Sequence, residues 1–189
     1  MNKLRNRILF FGWVTLLIFP IPGFLLRYFF TETSFFSFFE LEKFEFIDLA
    51  YGLELGFVYG VLGYFLMQAP VFEKIPNRIE RLVSEMNLKW YDGLFLSFCA
   101  AVGEEYLFRA GMQFFTGPFI GAIFFVALHG YLNPRNWRFS LYGLIVLPFI
   151  FLIAYGYEMF SIWFCIGAHF AYDAVLFRFM YEEQKESKG

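Results

Sequence analysis

The sequence predicts an all-α fold, a polytopic membrane helix bundle of about six transmembrane helices. Three observations predict it. Hydrophobic residues make up 59% of the chain and aromatic residues 25%, with 31 Phe, far more than a soluble domain of 189 residues carries. The mean hydropathy of +0.55 comes from several apolar stretches of spanning length. A span needs roughly 20 such residues, because the hydrocarbon core is about 30 Å thick and a helix rises about 1.5 Å per residue. Third, Lys and Arg are distributed unequally between the connections of these stretches, as membrane insertion requires.

The first span falls near residues 8–30. "MNKLRNR" followed by "ILFFGWVTLLIF" has the basic and apolar regions of a signal peptide, but "PIPGFLLRYFF" offers no small-residue cleavage site. It is read as a retained span kinked by Pro20 and Pro22. The acidic, Phe-rich "TETSFFSFFELEKFEF" then suits an interface, and the second span covers about 46–70. In "KIPNRIERLVSEMNLKWYDG", Ile75, Ile79, Leu82, Val83, Met86 and Trp90 recur at helical spacing. Arg78, Glu80, Arg81, Glu85 and Lys89 take the other face, which predicts a helix lying in the cytoplasmic interface with Pro76 in its first turn. Spans three and four, near 91–116 and 117–132, form a hairpin about the turn "TGP" at 116–118. Spans five and six cover about 139–157, where Pro148 is a second kink site, and 160–179. No internal repeat or low-complexity linker interrupts them.

With a cytoplasmic N-terminus, twelve of the fifteen Lys and Arg lie on the cytoplasmic side, Arg27 and Lys43 lie opposite, and Arg109 is inside a span. That asymmetry predicts an integral multi-pass protein with both termini cytoplasmic. The net charge of −2 and the absence of a basic stripe exclude a nucleic-acid partner and leave the lipid bilayer as the first one. Cys99 and Cys165 lie in apolar segments without CxxC spacing and read as small buried hydrophobes.

The residues that do not fit a lipid environment point to function. Glu104, Glu105, Arg109 and Asp173 lie in spans, where each charge costs roughly 2.5–3.5 kcal/mol at the bilayer centre. They must face protein, water or one another. His129 and His169, both histidines of the chain, lie in the same spans. At the helical rise Glu104 and His129 are each about 18 Å below the turn at 116–117, and His169 and Asp173 are roughly 14 and 20 Å along the last span. Four groups on three helices thus converge on one level. Glu105 and Arg109 are spaced i,i+4 and can pair, while Glu104 points about 100° away and is left for chemistry. His169 and Asp173 are also i,i+4. Asp48 and Glu54 on the second span either line a substrate cavity or bond neighbouring helices.

These residues carry a family resemblance. "EEYLFR" fits an EExxxR motif, "FVALH" (Phe125 to His129) an FxxxH motif, and "HFAYD" (His169 to Asp173) an HxxxN or HxxxD motif. In this order on successive spans the chain resembles the CPBP family, the CAAX proteases and bacteriocin-processing enzymes also called Abi. The resemblance covers about residues 91–180, a catalytic helix core preceded by N-terminal spans and an interfacial helix over 1–90 and followed by a polar tail over 181–189. It implies an intramembrane endopeptidase acting on a protein or peptide substrate, with membrane-anchored or lipidated proteins among the candidates. Glu104 with His129 would activate water, His169 with Asp173 would form the oxyanion site, and Glu105, Arg109 and Phe125 would support them. The resemblance implies no cofactor.

The chemistry of the residues agrees with that transfer. Hydrolysis by water needs a base, a way to position the water and donors for the oxyanion, and a low-dielectric cavity strengthens the last of these. Two other readings stay open. Glu104, His129, His169 and Asp173 could ligate zinc or iron in a metal-dependent membrane hydrolase, though no HExxH is present. The same polar residues could bond helices in a non-catalytic membrane binding or immunity protein.

Overall fold

A computed structural model describes residues 3–70, 87–132 and 137–186, helical in every long element and without a strand among them. The helices are α1 (Lys3–Ile18), α2 (Pro20–Thr31), α3 (Phe35–Phe39), α4 (Phe46–Met67), α5 (Trp90–Glu105), α6 (Phe114–Leu128), α7 (Trp137–Met159) and α8 (Ile162–Glu186). A 3-10 turn (Leu41–Lys43) follows α3, and a π-helical segment (Tyr106–Gln113) joins α5 to α6. The interfacial helix expected around residues 74–90 lies outside the described residues except at its end, where Trp90 begins α5.

Five apolar helical runs are long enough to cross a membrane: Lys3–Thr31, Phe46–Met67, Trp90–Leu128, Ser140–Met159 and Ile162–Glu183. The protein is an integral, multi-pass membrane protein. The first run is α1 and α2 together, broken at Pro20, which has no N–H to continue the ladder. Expected spans three and four appear as one 39-residue run, because helical bonding resumes on either side of Gly117. Gly117 itself has φ 71° and ψ 169°, a conformation that suits only glycine, and Pro118 follows it. The chain reverses there: Phe108 packs edge-on against Phe125 and Glu104 meets His129, pairs of constant residue sum as an antiparallel hairpin requires. The returning arm ends at Leu128, short of the predicted 132. From Pro118 it is 11 residues, about 16 Å, shorter than the roughly 30 Å of a hydrocarbon core, and His129 caps its end. The tail expected to begin at 181 continues α8 to Glu186.

Close backbone contacts hold the bundle. Gly52, Gly56 and Gly60 recur every four residues on the buried face of α4, and a Cβ at Gly52 or Gly56 would fall on the carbonyl oxygen of Phe164 or Ala168 in α8. This small-residue packing is the membrane alternative to a hydrophobic seam. Gly103 meets the Thr15 carbonyl of α1 in the same way, and Gly111 meets Gly23 of α2. The lipid side is Phe-rich, with Phe10, Phe11, Phe29, Phe30, Phe57 and Phe65 exposed. Asp48 accepts a 2.6 Å hydrogen bond from Ser161 Oγ, which makes it a helix-bonding residue between α4 and the α7–α8 turn. Glu54 is exposed on α4, away from the cavity described below.

Candidate active site

A cavity of about 300 Å³ lies between α5, α6, α7 and α8. Glu104, His129, His169 and Asp173 all line it, together with Phe125. The helical angle between the adjacent glutamates sends them to different partners.

Glu104, at the end of α5, reaches across the hairpin to His129, with Oε2 3.2 Å from Nε2. His129 is fixed from below by Phe125. Its Nδ1 lies 2.8 Å from the Phe125 carbonyl oxygen, and its ring stacks on the Phe125 ring at 4.2 Å and 22°. A carbonyl oxygen only accepts, so Nδ1 carries a hydrogen and Nε2 is the nitrogen offered to Glu104. This geometry explains the FxxxH spacing, since one phenylalanine sets both the tautomer and the tilt of the imidazole.

Glu105 turns into the protein and is fully buried with Arg109. Its Oε2 accepts from Arg109 Nε at 2.9 Å, and its Oε1 lies 2.7 Å from His169 Nδ1. The second contact was not legible in the sequence, which gave Glu105 only the i,i+4 arginine. The Arg109 guanidinium carbon sits 5.2 Å from the Phe125 ring centroid, and its two terminal nitrogens have no hydrogen-bond partner among the described residues. The aromatic face lends the buried cation some of the stabilisation that those nitrogens lack.

His169 Nε2 points the other way, 3.5 Å from Asp173 Oδ2, an ion-pair distance rather than a good hydrogen bond. Both nitrogens of His169 therefore face carboxylates. Glu105 is thus held from two sides, by Arg109 and by His169, while Asp173 is partly exposed to the cavity. Among the described residues no three His, Cys, Asp or Glu side chains are grouped as ligands of one metal ion. Cys99 and Cys165 are buried and outside the cavity lining.

Three tyrosines escaped the sequence reading: Tyr131, Tyr142 and Tyr172 also line the cavity. Tyr172 carried a signal, being three residues after His169 on the same helix face, and Tyr131 follows His129 by two. Tyr142 carried none.

The fold and site define a class: a membrane-embedded helix bundle with a carboxylate–imidazole pair over an internal cavity. Residues 86–175 match the family model described as type II CAAX prenyl endopeptidase Rce1-like, a stretch that contains all three motifs. That segment is similar to the Rce1-like family, which is consistent with the CPBP resemblance of the three motifs. Neither the curated proteins nor the solved structures yield a match.

Proposed function

We propose that the chain is an intramembrane endopeptidase in which Glu104 and His129 activate a water molecule against a peptide bond held in the cavity. The observation that carries this reading is the 3.2 Å Glu104–His129 pair, facing the same cavity as His169 and Asp173. Water bound beside the Glu104–His129 pair loses a proton to Glu104 as its oxygen adds to the carbonyl carbon. The oxygen of the former carbonyl becomes an oxyanion, stabilised by an N–H donor from His169. The C–N bond then breaks and the proton held by Glu104 passes to the leaving nitrogen. Glu105 and Arg109 hold His169 in place, and no cofactor enters the scheme. The substrate we favour is a CAAX-type protein, lipidated near the scissile bond, approaching a cavity open to the cytoplasm with both termini on that side.

The test uses purified protein in proteoliposomes and a fluorogenic farnesylated CAAX peptide, with its unprenylated counterpart as control. Wild type should cleave the farnesylated peptide, and E104Q should lower turnover at least 100-fold, the scale of a lost general base. Activity should survive exhaustive chelation. Loss on chelation with specific recovery by zinc would assign the same residues to the metal-dependent reading.

A further inference from the structure

Peptide hydrolysis places negative charge on the former carbonyl oxygen, and the site must aim N–H or O–H donors at it. The motif residues leave this site short of donors. Residue 173 is Asp, and an ionised carboxylate only accepts. His169 has Nδ1 committed to Glu105 at 2.7 Å, so at most Nε2 is offered, and Asp173 lies 3.5 Å from it. An N–H from one ring must serve an oxyanion next to a carboxylate that repels it.

The tyrosines supply what is missing. The hydroxyl oxygens of Tyr142 and Tyr172 are 3.5 Å apart. Tyr142 is also hydrogen-bonded to Tyr131, so the three hydroxyls form a chain with Tyr142 at its centre. Where Tyr131 and Tyr172 both donate to the Tyr142 oxygen, the Tyr142 O–H is the one turned to the cavity. Their rings are held by packing. Tyr172 stacks on Phe149 at 4.4 Å and 28°. Tyr142 meets the Tyr131 ring edge-on at 5.1 Å, and Tyr131 in turn lies parallel to His129 at 5.9 Å and 13°. Gly143 lets α7 abut that support, since a Cβ there would come within 2.8 Å of Tyr131 Cβ and 3.0 Å of its carbonyl oxygen. Tyr59 shows the contrast: its hydroxyl donates to the Ile145 carbonyl at 2.9 Å, and it does not line the cavity.

Resting on the peptidase reading, we propose that Tyr142 donates its O–H to the oxyanion, so that the donor absent from residue 173 is provided from the start of α7. The phenol keeps its hydrogen throughout, and no proton transfer is assigned to it. Tyr131 and Tyr172 are positioning residues that fix the ring and the direction of the hydroxyl.

The experiment is a double-mutant cycle in proteoliposomes with the farnesylated CAAX peptide, comparing wild type, Y142F, D173N and Y142F/D173N, with E104Q as reference. Y142F should lose about 100-fold in kcat with KM changed by less than about threefold, the signature of an oxyanion donor. Because an Asn amide can donate in its place, Y142F/D173N should be at least about tenfold faster than Y142F. Wild-type kcat in Y142F, or a double variant whose loss is the product of the two single losses, overturns the proposal. Should Y142F melt early, 3-fluorotyrosine at 142 keeps the shape and lowers the phenol pKa. With the stronger donor kcat should change while KM stays within about threefold, and a kcat and KM both equal to wild type overturn the proposal. E104Q separates the two levels. If E104Q is as active as wild type, the peptidase reading itself fails; if E104Q is inactive while Y142F is fully active, only the tyrosine assignment fails.

Discussion

Two neighbouring carboxylates in this protein meet two histidines under different conditions. The Glu104–His129 pair is partly open, with side-chain exposures of 15% and 30%, and its partners come from the two arms of the Gly117 hairpin. The Glu105–His169 contact is closed, at 0% and 8%, and is backed by the fully buried Arg109. The first pair is open to the cavity through both partners; in the second only His169 reaches the cavity, and Glu105 is closed off behind it. The separation follows from a single helical step of about 100° between adjacent residues. An EE dipeptide at the end of a membrane helix thus supplies one carboxylate open to the cavity and one buried against Arg109 without any additional element.

Perturbations should divide along that line. His129→Ala should have the largest effect on chemistry, at least a 100-fold loss in kcat with little change in melting temperature, measured by peptide cleavage and a detergent thermal melt. Glu105→Gln should act on stability instead. It leaves Arg109 buried without its counter-charge, a change on the order of 3–5 kcal/mol, seen as early melting and low yield. His169→Ala should lower turnover more than Asp173→Ala, because Glu105 already orients His169 at 2.7 Å while Asp173 is 3.5 Å away. Equal losses would show that Asp173 is the partner that matters. The smallest effect belongs to Cys99→Ala with Cys165→Ala, which should change kcat less than about twofold, since neither lines the cavity.

The open half of this comparison was more legible in the sequence than the closed half. Glu104 and His129 lie at equal depth below "TGP", and a hairpin turn fixes the register of everything near it; the structure places them in contact. The Glu105–His169 contact joins α5 to α8 across 64 residues, and its register depends on how those two helices pack, with Gly93 of α5 against Phe177 of α8. No pattern within either helix encodes that distance. The π-helical segment Tyr106–Gln113 was not legible either, because no sequence pattern marks the wider turn. Asp48, ambiguous in the sequence, was resolved by its 2.6 Å partner Ser161, which lies 113 residues away.

The most direct test of the division of labour puts both glutamates in one measurement. Purified wild type, E104Q and E105Q are reconstituted, and peptide cleavage and thermal unfolding are recorded on the same preparations. E104Q should melt with wild type and cleave at least 100-fold more slowly. E105Q should melt well below it and keep, per folded molecule, more activity than E104Q. An E104Q protein that cleaves at the wild-type rate, or one whose loss is matched by an equal loss of folded protein, would contradict the assignment of Glu104 as the working carboxylate.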